Sequence, residues 1–414
     1  MKPTPELILQ YREDPDSLER LYRANSNGFS VSLPAALAQA PDSLALRVWN
    51  ARLSLAHSAP AGDAGHAALW WVIAIGLAVA LLVRLPTIWI SGDWFYPRFA
   101  PMLVLISLAA YFLSSQPRRP LIAAGAGLAL LSAIYVSLLP DYTDSIIMSL
   151  IHLPLFLGAY VGLVFVNGAW RDPLARVQFA RYVGELAILG SLVLLGGMVL
   201  SGLSMGLFSL IDDDIVEWWL ENIVVMGMAA TLVVATYLYD VVFNRRSAIA
   251  TVLARVFAPL FLVVVVGYLV AAFTAGSNPF VDRSFLITFN GLLLVVLAIT
   301  VFSLVERDRE SAVGLADYVN LGLVGTTLLI NVIALSAILF RLASYGFTPN
   351  RVTVLGANLV IFIHLVWIGF TYLKLARNKV EFEAMERVIG RYIPVYGCWS
   401  AFVVFVLPLL FQYD

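Results

Sequence analysis

Cysteine is almost missing from this chain of 414 residues. The one example, Cys398, lies in an apolar run, so an intramolecular disulfide, a CxxC redox pair and a thiolate metal site are excluded. Histidine is nearly as scarce, and His57, His66, His152 and His364 leave little from which to build a metal cluster. Charge is the third shortage: 13% of the residues are charged and 61% are hydrophobic, where a soluble domain carries about 25% and about 45–50%. With a mean hydropathy of +0.87, a soluble globular protein is excluded. A formal charge of -1 rules out a globally basic nucleic-acid binder, and no nucleic acid is expected as a partner. P-loop, HExxH, GxSxG and GxGxxG patterns are absent. No catalytic residue, cofactor or ATP-driven pump is therefore expected.

What the sequence does contain is a polar start followed by long apolar runs. Residues 1–66 form a small region with two amphipathic patterns, "PELILQYREDPDSLERLYRA" and "PAALAQAPDSLALRVWNARLSLAH", broken at "NSNGFS" and "SAPAGDAGH". Two or three short helices are expected there. Charged residues follow Met1 without an apolar core or a cleavage site, so the start reads as cytoplasmic rather than as a signal peptide.

Residues 67–414 read as an all-α bundle of about eleven transmembrane helices, because a hydrocarbon core of about 30 Å takes roughly 20 apolar residues per crossing. The expected spans are 67–83, 97–113, 120–139, 146–166, 183–207, 223–242, 250–273, 285–304, 318–345, 349–373 and 392–411; the second is the weakest, with Arg98 near its start and Pro101 inside. Lys and Arg are retained on the cytoplasmic side. With the N terminus inside, twenty of the 26 basic residues fall on that side, five fall opposite (Arg84, Arg98, Arg283, Arg341 and Arg351), and Arg255 lies within a span. An N-in, C-out topology follows. The segment "IDDDIVEWWLEN" at 211–222 is expected on the outer side as a short interfacial helix anchored by Trp218 and Trp219, and "KLARNKVEFEAMERVIGR" at 374–391 as a cytoplasmic interfacial helix.

Polar groups inside lipid are costly and so mark candidate sites. Glu185 and Arg255 fall at matching depth in two spans, as a structural ion pair or part of an ion path; Asn290, Asn331, Asn358 and His364 lie within spans, either sharing a cavity suited to a polar ligand or bonding helix to helix. Asp212, Asp213 and Asp214 are weak metal candidates, since hard cations favour clustered carboxylates, and otherwise a solvated cap. Small-residue spacings at Gly158/Gly162 and Gly202/Gly206 suit close helix packing, within the bundle or in a homo-oligomer.

The most informative stretch is "ILFRLASYGFTPNRVTVLG" at 338–356. Gly346 fits a helix C-cap with positive φ, and Thr348 with Pro349 fits the N-cap and first position of the next helix. Arg351, at the positive end of that helix, gains nothing from its dipole. Arg341, Tyr345 and Arg351 therefore read as an anion site, or as a tight hairpin whose arginines bond headgroups or loop carbonyls. This pattern, within "SAILFRLASYGFTPNRVTVLGANL", resembles the signature of the bacterial membrane family catalogued as domain of unknown function 4153, over about residues 67–412. The resemblance implies a multi-pass bacterial inner-membrane protein and carries over no activity.

Three functions follow: a non-enzymatic protein that binds or transports a small polar or anionic solute through Arg341, Tyr345, Arg351, Asn290, Asn331, Asn358 and His364; a scaffold or signalling protein whose cytoplasmic partner docks on 1–66 or 374–391; and an envelope-lipid-modifying enzyme using the acids at 212–214. Membrane lipids are partners in each. The topology predicts that Thr348→Cys, in a Cys398→Ser background, reacts with an impermeant thiol reagent applied from the side opposite the N terminus; labelling only from the N-terminal side overturns the assignment.

Overall fold

The protein is described by a computed structural model covering residues 4–24, 26–58, 69–140, 142–209, 212–245, 258–267, 269–270, 274, 283–307, 314–377 and 379–413. Side chains of 23, 24, 26, 27, 31, 54–58 and 283–289 are outside that description. The chain forms two compact units, Met1–Gly65 and His66–Asp414.

The first unit holds four helices, α1 Pro5–Gln10, α2 Pro15–Ala24, α3 Ser26–Gln39 and α4 Leu44–Ser58, where two or three were expected. The "NSNGFS" break falls between α2 and α3, and most of it forms the first turn of α3, because Phe29, Leu33 and Ala36 recur on one helical face and are buried. Asp14 caps α2. One carboxylate oxygen accepts from the Asp16 and Ser17 amides at 3.2 Å each, the other from the Ser17 hydroxyl at 2.6 Å. The Ser17 hydroxyl, then its amide, hold the Asp14 carboxyl below the ordinary range for aspartate. Ile8, Leu18, Phe29, Leu46 and Trp49 form the unit's core, and the Arg52 guanidinium covers it, 4.5 Å above the Trp49 ring and 3.1 Å from Glu19.

The second unit is all-helical among the described residues: α5 Leu69–Arg84, α6 Gly92–Ser115, α7 Arg119–Leu138, α8 Asp144–Phe165, α9 Pro173–Phe208, α10 Asp213–Val242, α11 Ala258–Gly267, α12 Arg283–Val305, α13 Leu315–Tyr345, α14 Pro349–Ala376 and α15 Phe382–Leu410. Nine helices among the described residues are long and apolar enough to cross a membrane. The two remaining expected spans coincide with α11, much of whose surroundings lies outside the described residues, and with α12. Leu195, Met198, Leu200, Leu203 and Leu207 of α9 are all more than half exposed, a surface that suits lipid and not water.

Two expected interfacial helices are corrected. Asp213–Trp219 runs without a break, through a π-helical turn at Leu220–Val224, into the crossing helix α10. The 374–391 segment is divided between the end of α14 and the first turns of α15, where Phe382, Met385, Val388 and Ile389 enter a core with Ile368 and Tyr372. Its charge alternation describes only the outward face; the opposite face is apolar at helical spacing and packs.

Irregular backbone is matched by side chains. Pro97 in α6 has no N–H for the Asp93 carbonyl four residues back, and the Tyr142 hydroxyl donates to that carbonyl at 2.8 Å. In α15 a π-helical turn at Phe402–Val406 presents the Val404 carbonyl, which accepts from Tyr135 at 2.5 Å and Ser149 at 3.0 Å. Helix α15 also packs backbone to backbone on α9: a Cβ on Gly390 would lie 2.0 Å from the Pro173 carbonyl oxygen, whereas one on Gly202 would meet nothing within 4 Å. Gly390→Ala is thus expected to lower the unfolding midpoint in detergent, with an overpacking cost of about 1–3 kcal/mol. Gly202→Ala should be neutral or stabilising by up to about 1 kcal/mol.

Candidate functional site

The polar interior has two parts, and the first lies near the middle of α13, α14 and α15. Asn358 Nδ2 donates to Asn290 Oδ1 at 2.8 Å, and Asn331 Nδ2 donates to the Asn358 carbonyl at 3.2 Å, so the three amides expected within spans join α12, α13 and α14. His364, one and a half turns further along α14, faces α15. Its Nδ1 lies 2.8 Å from the Tyr396 hydroxyl, and its ring stacks on Tyr392 at 4.3 Å. The Tyr392 hydroxyl donates to the Val360 carbonyl at 2.7 Å. Gly356 permits this approach, because a Cβ there would lie 1.9 Å from the Trp399 ring.

Four buried atoms of this seam have no hydrogen-bond partner among the described residues: Asn331 Oδ1, His364 Nε2, Thr353 Oγ1 and Trp399 Nε1. They combine acceptor and donor character, since an amide oxygen only accepts and an indole N–H only donates. Whichever tautomer His364 adopts, one ring nitrogen keeps an unused hydrogen-bonding capacity. A buried polar group left so costs about 1–3 kcal/mol. These atoms leave unused hydrogen-bonding capacity within α13, α14 and α15.

The second part is ionic and lies where α9, α13 and α15 begin and α10, α12 and α14 end. Asp317, in the first turn of α13, accepts from Arg307 through both oxygens at 2.7 and 3.2 Å, from the Gly314 amide at 2.9 Å and from the Tyr372 hydroxyl at 2.9 Å. Arg307 also lies 4.7 Å above the Phe382 ring, so one arginine gathers four helix ends. Arg181 pairs with Glu306 at 2.9 Å and donates to the Val305 carbonyl. Asp240 accepts from Arg245 at 2.5 Å and from Tyr111 at 3.1 Å. Asn244 and Arg245, at φ 48 and 57, turn the chain back to make that pair. Glu185 is buried at this end of α9; its expected partner Arg255 lies outside the described residues. Of this network the sequence singled out only Glu185. The others stood at span ends and read as loop charge; the missed signal was that Arg181 and Arg307 each have an acid at the adjoining end of a neighbouring span, and Arg245 one at the end of its own.

At the opposite end the arginines serve the fold. Arg351 donates to the Tyr345 and Gly346 carbonyls at 2.9 and 2.8 Å, closing the end of α13, with the Tyr345 ring 5.7 Å away. Gly346 has φ 78, and Thr348 caps α14 by accepting from the Arg351 amide. Arg341 is half-buried near the end of α13, and Tyr345 is exposed. Arg98, 1% exposed, donates to the Pro140 carbonyl at 2.9 Å and sits between Trp94 and Tyr142. Asp212 caps the first turn of α10, accepting from the Asp214 amide at 3.0 Å; Asp213 and Asp214 are exposed. Among the described residues no group of three or more His, Cys, Asp or Glu is arranged to hold a metal ion.

No family model, curated protein or solved structure matches the chain.

The ionic network makes a quantitative prediction. Removing one partner of a buried pair leaves the other charge uncompensated, so Asp317→Ala should cost about 3–5 kcal/mol, and replacing both members with apolar residues should recover most of that loss. Chemical denaturation in detergent of Asp317→Ala against the Arg307→Met/Asp317→Leu double variant checks it.

Proposed function

We propose that the chain is a non-enzymatic, multi-pass membrane protein that binds and moves a small polar solute through the seam of Asn290, Asn331, Asn358 and His364. The observation that carries this reading is that Asn331, His364 and Trp399, near the middle of three long apolar helices, each keep a buried polar atom without a hydrogen-bond partner among the described residues. A bundle that needed only to hold its helices together would be more stable with those positions apolar. Nine long apolar helices among the described residues support a membrane-embedded chain. The finer reading is eleven crossings with the N terminus cytoplasmic and the C terminus opposite, supported by the Lys and Arg asymmetry. The resemblance at residues 338–356 supports a bacterial inner membrane.

The geometry favours a hydrogen-bonding solute over one captured as an anion at the α13–α14 hairpin, because Arg351 already donates to two carbonyls. Arg341 and Tyr345 border the same end. The acids at 212–214, exposed and partly used for capping, support the enzyme reading least. A scaffold function has one observation in its favour: residues 1–65 form a unit with its own core, and Leu44 and Val48 on α4 are exposed.

The solute reading is tested by thermal unfolding of the purified protein in detergent against amino acids, dicarboxylates, sugars, nucleosides and inorganic anions, followed by uptake of the same compounds into proteoliposomes. At least one compound is expected to raise the midpoint and to accumulate, and Asn331→Leu and His364→Phe to abolish both effects while leaving the ligand-free midpoint unchanged or raised. If no compound in the panel shifts the midpoint or enters the vesicles, the reading fails.

A further inference from the structure

A cleft of about 490 Å³ opens between α9, α12 and α15, walled by Val183, Gly184, Ala187, Ala298, Phe302 and Ile393. Its walls are apolar, and Val183 and Ala187 are exposed along it, so it opens sideways from the helices instead of closing into a core. Gly184 sets the depth: a Cβ there would lie 2.2 Å from the Phe302 ring, so that ring comes up against the α9 backbone. The α9 wall runs from Phe179 to Ile188, about 14 Å at the helical rise. One leaflet's share of a hydrocarbon core of about 30 Å is nearly the same.

Arg176 stands one turn before this wall and on the same face, because 176, 180, 183 and 187 recur at spacings of four, three and four. Arg391 of α15 lies near enough for its positive charge to act on Arg176. Among the described residues neither guanidinium makes a salt bridge, whereas neighbouring Arg387 is paired with Glu383 at 2.7 Å. Arg176 reaches only the Arg171 and Asp172 carbonyls, each at 3.4 Å, and the Asp172 carboxylate lies nearby as the cap of α9. Two positive charges thus face one acid. Trp170, half exposed with Arg171 5.1 Å above its ring, marks this level as the depth of the lipid headgroups.

We infer that this cleft is a specific site for one anionic phospholipid of the leaflet at the Pro173 end, its phosphate between Arg176 and Arg391 and one acyl chain along the α9–α12 wall. The occupant is a lipid and not a free anion because the cationic pair and the apolar wall are continuous, and only an amphiphile satisfies both. A tethered chain supplies the apolar atoms that Val183 and Ala187 lack, and its phosphate relieves the repulsion between the two arginines. The inference does not depend on the solute reading above; either can fail alone.

Native mass spectrometry of the full chain in detergent micelles tests it, with phosphatidylglycerol and phosphatidylcholine of matched chains as probes. The wild type should retain one phosphatidylglycerol in preference to phosphatidylcholine. Arg176→Ala/Arg391→Ala should lower that preference roughly ten- to thirtyfold, as expected for two basic residues at an anionic headgroup, and Arg176→Lys/Arg391→Lys should restore part of it. Ala187→Trp, which fills the cleft from its exposed side, should reduce retention of both lipids. Circular dichroism identifies any variant that has lost its helices, so that the remaining variants decide. Equal retention of the two lipids by the wild type, or an undiminished preference for phosphatidylglycerol in the folded Arg176→Ala/Arg391→Ala variant, overturns the inference.

Discussion

A polar group inside a bilayer has no water to turn to, and an unsatisfied one costs several kcal/mol; the arrangement of residues 69–413 follows from that constraint. Where the backbone leaves the regular helix, a side chain completes it. Tyr142 donates to the carbonyl that Pro97 frees, Tyr135 and Ser149 to the one exposed by the π-helical turn in α15, and Arg351 to the last carbonyls of α13. Charge is treated in the same way: Arg98, Arg307 and Asp240 are each surrounded by carbonyls, rings or opposite charges.

Helices α13, α14 and α15 show how this constraint separates support from function. Each carries a residue of the ionic network at one end: Asp317 on α13, Tyr372 on α14 and Phe382, under the Arg307 guanidinium, on α15. The α13–α14 pair is also closed at its far end, by the Gly346 turn and Arg351. Between these fixed ends lie Asn331, His364 and Trp399, whose hydrogen-bonding capacity is not used up. Tied ends with a polar, incompletely satisfied middle are the arrangement on which the proposed solute seam rests. Lipid plays the complementary part outside, where the cleft beside α9 offers apolar walls beneath Arg176 and Arg391.

Much of this was legible in the order of residues, for identifiable reasons. Span positions follow from length and hydropathy, which depend on composition and not on packing. The α13–α14 hairpin was readable because Gly346, Thr348 and Pro349 act within a few residues of themselves. Arg351 was harder: the sequence placed it at the positive end of a helix, where only a partner could explain it, and left an anion or loop carbonyls as that partner. The interfacial helix expected at 374–391 was misread because alternating charge describes one face of a helix, while the apolar face that draws it into the bundle becomes decisive only when a neighbour is present; at 211–222 the exposed acidic turn is instead continuous with the crossing helix α10.

By itself the sequence determined that the chain is apolar enough for a membrane and roughly where its long apolar helices lie, because each of these is a transfer energy summed over a local window. Only the tertiary structure decided that Asn290, Asn331 and Asn358 form one hydrogen-bonded chain, that His364 meets Tyr396, and that Asp317 is held by Arg307 and Tyr372. Those contacts join residues up to 68 positions apart. Their existence depends on the rotation of each helix about its axis, which hydropathy leaves free and packing against neighbours fixes.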